Sequence, residues 1–358
     1  MINKFTMRVL EIITEDPKLH QMKQEIVKAI DGFDLDTDDD EEIRQTAKIL
    51  DHIYTVLNKT KVLSRISDVI PKTLRGEYQQ KAIREIAEKI ATAPVSFADK
   101  EKFLENLEKN KVINEKLLLK SGNHTLEALT YNDPTNLAML HHMKQYGVGQ
   151  QMKGPAEHAL AIFNKNISIK GKGDVTVGTT PVEIKAYVGT NPSGGGGRLG
   201  EASAVPTRER MVQILTSIPS ISEAIEAHLE KQKSLNIITF TLILNELGLS
   251  AGERRKIGKQ VFGAIFGNKA QPIIAAISKP DANPDDVRMA YAASNFEWYK
   301  DSDMGGAWQI LAALNFANNK MVVVKDGEEL KKANLYAKSP AVVTTDKPQE
   351  MLYQLAPR

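Results

Sequence analysis

GPAEHALAIFNKNISIKGKGDVTVGTTPVEIKAYVG, residues 154–189, decides the fold class, because within it the hydrophobic period changes from that of a helix to that of strands. Gly154-Pro155 is a helix start, since proline at the first helical position loses no hydrogen bond and its φ is preset. Glu157 falls in the first turn, where the positive end of the helix dipole favours a carboxylate, and Leu160 and Ala161 set it on the apolar face that should meet a sheet. Residues 166–170 read as a strand and Gly171-Lys172-Gly173 as a turn. Residues 174–177 and 182–188 then read as a hairpin closed around Gly178-Thr179-Thr180-Pro181.

Alternation places Asp174 and Thr176 on one face of the first hairpin strand, and Glu183, Lys185 and Tyr187 on one face of the second. A turn with an even number of residues sets Asp174 across from Lys185 and Thr176 across from Glu183, so the polar groups share a side. A slip by one residue separates them. In the even register two carboxylates and an ammonium converge, and Glu157 can enter from the helix. Such a cluster is electrostatically expensive without a cation. A hard divalent ion is the natural compensation, with Mg²⁺ the usual choice beside phosphate and Mn²⁺ a substitute.

The rest of the chain sets this segment between two helical regions. Residues 1–150 carry Leu, Ile and Val at three- and four-residue steps, as in KAIREIAEKI at 81–90, and read as a helical N-terminal domain. Residues 151–358 form a second domain, with a helical insertion at about 207–290, a helix at 304–318, a buried strand at 321–325 and a further short strand at 341–345. The alternate acids Asp34, Asp36 and Asp38 resemble a calcium loop in spacing. The sixth position is Asp39 rather than Gly and the twelfth is Gln45 rather than Glu, so an interhelical loop is the better reading.

Of 358 residues, 42% are hydrophobic and 26% charged, the balance of a globular protein rather than a disordered tail. With no cysteine there is no disulfide framework, zinc-thiolate site, iron–sulfur cluster or thiol nucleophile. No window offers a membrane span, and MINKFTMRVLEII lacks the features of a signal peptide, so the expectation is a soluble, cytoplasmic protein with no membrane partner. A formal charge of +2 gives little overall pull on DNA, so affinity for nucleic acid must come from local patches.

The helix, the hairpin and their charged residues resemble the PD-(D/E)XK nuclease superfamily, the restriction-endonuclease-like fold, whose core runs helix, three strands, helix, strand. Composition alone yields about six acidic-x-basic triplets in this chain, so the context around Glu183-Ile184-Lys185, and not the triplet, carries the likeness. The resemblance implies an α+β fold with a mixed sheet flanked by helices. It also implies a magnesium-dependent hydrolysis of DNA phosphodiester bonds. By the same resemblance Asp174, Glu183, the Ile184 carbonyl and Glu157 hold the metal, while Lys185 orients or helps deprotonate the attacking water and stabilises negative charge. Two departures stand out. Gly173 replaces the proline common in the motif, and no Gln-x-x-x-Tyr signature of the RecB-like exonuclease branch occurs near Gln309, where Ala313 stands at the tyrosine position.

After the hairpin, Gly194 to Gly197 form either a phosphate-approaching loop or a flexible linker, and Arg198 is a candidate phosphate contact. Lys165, Lys170 and Lys172 supply local positive charge, and Arg254, Arg255, Lys256 and Lys259 form the densest basic cluster. Each set reads equally as solvated surface. His141 and His142 point about 100° apart on a helix, poor geometry for a shared metal, and His158 reads as a helix-surface residue. Trp298 and Trp308 are core or interface anchors before they are base-stacking platforms.

Two functions compete. One is a Mg²⁺-dependent deoxyribonuclease. The other is a structural or DNA-packaging protein of a tailed bacteriophage, to which GGGGRLGE after the EIK strand bears a general resemblance; it would act in the host cytoplasm or virion, with DNA, other phage proteins or its own copies as partners. A helical scaffold with no catalysis is the third and weakest possibility.

Overall fold

The structure, a computed structural model, describes residues 80–145, 153–187, 208–232, 235–301 and 307–333. It adds the short pieces 198–199, 335–337, 341–343 and 353–357 and scattered positions between 48 and 78. The acidic run from Asp34 and the glycines 194–197 lie outside the described residues. The chain divides into two compact units, Met1–Lys109 and Asn110–Arg358.

In the first unit, α1 (Gln80–Ala91) buries Ala82, Ile86, Ala87, Ile90 and Ala91, a single stripe at three- and four-residue steps. The hydroxyl of Ser96 caps α2 (Phe97–Glu108) by accepting the Asp99 N–H at 3.1 Å, and α2 buries Phe103, Leu104 and Leu107.

The second unit is α+β, with a mixed six-stranded sheet. It opens with α3 (Glu115–Leu118), β1 (Gly122–Thr125), α4 (Leu126–Leu129), α5 (Pro134–Met143) and α6 (Pro155–Phe163). The meander β2 (Ile167–Ser168), β3 (Val175–Val177) and β4 (Thr180–Tyr187) follows. After the two-residue β5 (Arg198–Leu199) comes the helical layer: α7 (Arg208–Thr216), α8 (Ser222–Lys231), β6 (Leu235–Asn236), α9 (Ile237–Glu246), α10 (Ala251–Phe266), α11 (Gln271–Ile277) and α12 (Pro284–Asp301). The chain then enters β7 (Ile310–Asn315), β8 (Lys320–Val324) and α13 (Gly327–Lys332). The sheet runs β1-β8-β7-β4-β3-β2, antiparallel except where β7 lies parallel to β4.

Two expectations are corrected. The 304–318 segment, expected as a helix, contains strand β7, and all six of its residues are buried. The region up to 150, expected to be helical, supplies edge strand β1, whose Gly122 pairs with Val323 of β8, so the sheet begins well before residue 151. Nothing in GNHT alternates; three of its four residues are exposed, as suits a short edge strand.

Residues paired across a ladder share a face of the sheet. Glu183 pairs with Leu311 and Lys185 with Ala313, which in turn pair with Val324 and Val322. Leu311, Ala313, Val322 and Val324 belong to one buried cluster with Phe240, Val261, Phe262, Ile273, Tyr291 and Phe296 of the helical layer. Glu183 and Lys185 therefore rise from the face that this layer covers. Val182, Ile184, Ala312, Leu314 and Val323 are buried on the opposite face. Both faces of β4 and β7 are covered; β7 is accordingly apolar on both, whereas β4 keeps its alternation and sets Glu183 and Lys185 on a covered face. No helix among the described residues is long and apolar enough to cross a membrane.

Candidate active site

The hairpin turn is Gly178-Thr179, with Val177 pairing to Thr180, Thr176 to Pro181 and Val175 to Val182. Gly178 has φ +62°, as the first position of a type II′ turn requires. The turn is even, so the polar residues of the two strands share a face. It is two residues tighter than expected, and Thr176 meets Pro181 rather than Glu183. Asp174 precedes the ladder and is held by its own N–H, donated to the Val182 carbonyl at 3.0 Å.

Gly173 has φ +71°, a conformation closed to proline, whose ring fixes φ near −65°. A Cβ there would lie 3.0 Å from the Val182 carbonyl oxygen, so the backbone runs too close to β4 for a side chain. The departure from the motif's proline thus has a local cause.

Four expected residues come together. Lys185 Nζ donates to Glu183 Oε1 at 2.6 Å and lies 3.9 Å from Asp174 Oδ2. That same Asp174 oxygen accepts the Ile184 N–H at 2.9 Å. Ile184 is thus tied to the cluster through its N–H. The carboxylate of Glu157 folds back over the start of α6, accepting its own N–H and lying so close to Gly154 that a Cβ there would stand 2.4 Å from Oε2. The charges of Asp174, Lys185 and Lys153 all act on Glu157, which places it at the same cluster.

Lys153 was not anticipated from the sequence. Its ammonium donates to the Gly173 carbonyl at 2.7 Å and lies 3.9 Å from Asp174 Oδ1, the oxygen that Lys185 does not face. Tyr299, from α12, is the other unforeseen neighbour, close enough to act electrostatically on Lys185. Its ring packs 6.1 Å from that of Trp308, which meets Phe296 edge-on at 4.9 Å. No sequence spacing flags Lys153, which precedes the helix, whereas Tyr299 sits on a helix whose packing partner could not be read in advance.

Burial pushes the Glu183 carboxyl up, Lys185 opposes this, and Asp174 adds to it; the balance stands at about 7. Burial works against the Lys185 ammonium, but Glu183, Asp174 and Tyr299 outweigh it and its pKa is raised. Burial, then the charge of Asp174, raises Glu157 against the pull of its own N–H, Lys185 and Lys153. Three carboxylates thus crowd two ammonium groups.

This donor set fits Mg²⁺ or Mn²⁺ in kind: hard oxygens only, with more negative charge than the lysines offset. Among the described residues no group of three or more His, Asp or Glu side chains is already arranged to hold a metal ion. Glu183 would have to exchange Lys185 for the ion.

The remaining candidates separate. Arg254, expected as a phosphate contact, is buried. It donates to Asn245 Oδ1 at 2.7 Å and to the carbonyls of Leu244, Leu249 and Lys279 at 2.7, 3.1 and 3.2 Å. Leu244 and Lys279 lie at the carboxyl ends of α9 and α11, so this guanidinium caps two helices at their negative poles and, being buried, is out of reach of a DNA phosphate. Arg255, Lys256 and Lys259 are exposed on α10, and Lys165, Lys170 and Lys172 are exposed around β2 and the following turn. The backbone of Arg198 pairs with Gln354, and its side chain lies outside the described residues.

His158, expected at a helix surface, is fully buried in α6. His141 hydrogen-bonds Asn319 Oδ1 at 2.7 Å and meets Phe316 edge-on, well engaged without a metal. Trp308 is buried, and Trp298 packs against the same cluster.

Comparison of the chain with family models, with curated proteins and with solved structures gives no match.

Proposed function

We infer that this protein is a metal-dependent nuclease that hydrolyses DNA phosphodiester bonds through Glu157, Asp174, Glu183 and Lys185. The observation that carries the reading is the meeting of Asp174, Glu183 and Lys185 on one lysine nitrogen, with Glu157 beside them at a helix start. The order α6, β2-β3-β4, helical layer, then β7 parallel to β4 supports it, since the restriction-endonuclease-like core runs helix, three strands, helix, strand.

Bound Mg²⁺ or Mn²⁺ would supply a Lewis acid and lower the pKa of a coordinated water. Asp174 and Glu183, with the Ile184 carbonyl and Glu157, would hold it. Released from Glu183, the Lys185 ammonium is free to orient the attacking water and to offset charge on the phosphoryl oxygens. The Ile184 N–H fixes the rotation of the Asp174 carboxylate, leaving Oδ1 as its other face. Arg255, Lys256 and Lys259, together with Lys170, Lys172 and Arg198, are the proposed backbone contacts.

One observation favours the second reading, a phage structural or DNA-packaging protein using the same fold for binding or assembly. Glu183 is already closed on Lys185 at 2.6 Å, an arrangement that is satisfied without an ion. A plasmid-cleavage assay in Mg²⁺, in Mn²⁺ and in EDTA separates the two. Metal-dependent cleavage abolished by Asp174→Asn supports the nuclease, and no cleavage of any DNA or RNA form supports the structural role.

A further inference from the structure

Among the described residues, Lys153 is the cation at the site that lies outside the hairpin. It stands just ahead of the helix that carries Glu157, and its side chain is 18% exposed, against 22% for Asp174 and 17% for Lys185. Its ammonium bonds the Gly173 carbonyl and faces Asp174 Oδ1, whereas Lys185 faces Oδ2. The two lysines thus bracket one carboxylate. Only Lys185 is engaged by Glu183 as well; Lys153 has no second carboxylate within ion-pair distance among the described residues.

Charge counting then distinguishes their work. Glu157, Asp174 and Glu183, when ionised, bring three negative charges and the lysines two positive, a net of minus one. A divalent ion turns that to plus one, and a single phosphodiester group returns it to zero. Without Lys153 the loaded site is neutral, and the phosphodiester leaves it with an uncompensated negative charge among poorly solvated side chains. The same deletion makes the metal-free site more negative, which favours a divalent cation.

We propose that Lys153 is a positioning residue of the proposed nuclease: it holds the start of β3 and supplies the charge that makes the metal-loaded site accept a phosphodiester. This rests on the nuclease reading. A lysine that merely braced the hairpin would, on removal, loosen metal and substrate together. A lysine that sets the charge balance moves them in opposite directions.

The experiment compares wild type with Lys153→Met and Lys153→Arg in the full chain. It measures Mn²⁺ affinity of the free protein by titration, KM and kcat for cleavage of a short DNA duplex in Mg²⁺, and thermal melting as a control for folding. Expected for Lys153→Met is Mn²⁺ affinity equal to or tighter than wild type, KM raised roughly tenfold, the scale of one lost charge-assisted contact, and kcat within a few-fold. Lys153→Arg should restore most of the KM. Weaker Mn²⁺ binding alongside the raised KM, or a KM equal to that of wild type, overturns the proposal while leaving the nuclease standing. A wild type that binds no Mn²⁺ or cleaves nothing overturns the nuclease reading and this inference with it.

Discussion

The main-chain N–H of Ile184 donates to Oδ2 of Asp174 at 2.9 Å, so a residue of β4 fixes the carboxylate at the start of β3. The two strands are therefore joined through the site as well as through their ladder. Glu183 and Lys185 flank the donor on either side in sequence, so moving β4 against β3 displaces both of them relative to Asp174.

Lys185 tests enzyme against scaffold. Lys185→Met should lower metal-dependent cleavage by about 10²–10³-fold, the scale for one preorganised contact to a developing charge. The structure adds a stability effect: a buried Glu183 carboxylate loses the ammonium at 2.6 Å, at a cost of about 3–5 kcal/mol. The double variant Lys185→Met/Glu183→Gln should recover most of that stability and none of the activity. Denaturant melting of the three proteins checks the first part, and a double variant no more stable than the single one would remove the ion pair from the account.

Glu183 makes stability depend on pH in a definite direction. Its folded-state pKa is raised from 4.5 to about 7, so between these values the folded protein binds more protons than the unfolded chain. This contribution is complete below about 4.5 and is lost as pH rises through 7, by on the order of 3 kcal/mol. Glu157 is shifted the same way. Unfolding free energies across pH 4.5–7.5 should show a flatter profile for Glu183→Gln than for wild type. Parallel curves would mean that Glu183 does not titrate there.

Gly173 tolerates no side chain. Gly173→Ala brings the left-handed penalty of about 1–2 kcal/mol and a Cβ pressed on the Val182 carbonyl, and should destabilise by about 2–3 kcal/mol. Gly173→Pro should do worse, because φ +71° is out of its reach. Melting temperatures of the two variants decide it: a Gly173→Pro protein as stable as wild type is incompatible with this backbone.

Arg254 and Arg255 are neighbours in opposite environments, one buried and one exposed. Arg254→Met leaves three carbonyls and Asn245 without their donor and should cost about 3–5 kcal/mol. Arg255→Ala should change stability by no more than about 0.5 kcal/mol and weaken DNA binding in a salt-dependent way. Equal melting of the two variants would contradict the burial of Arg254.

Much of the site was legible because its signals are local. Proline after Gly154, glycine at the turns and Val-x-Val alternation place Glu157, Asp174, Glu183 and Lys185 without knowledge of the rest. What failed depended on distant chain. The segment around Ile310–Asn315 is apolar without a break because both its faces are covered, and a short unbroken apolar run does not distinguish strand from helix. Strand β1 exists through its partner β8, not through any pattern of its own. Arg254 was readable and misread. It lies three and four residues before Ile257 and Gly258 and seven and eight before Val261 and Phe262, on the buried stripe of α10, whereas its charge suggested the surface.

The parallel pairing of β4 with β7 sets a condition on folding. Val182 meets Ile310 only after the whole helical layer has been synthesised, and so large a separation in sequence raises the entropy cost of closing the loop and slows folding. Synthesis proceeds from the amino terminus, so a nascent chain displays Glu157, Asp174, Glu183 and Lys185 long before the strand that buries β4's second edge emerges. The charged residues are then present before the sheet around them is complete, and its completion waits until β7 has left the ribosome.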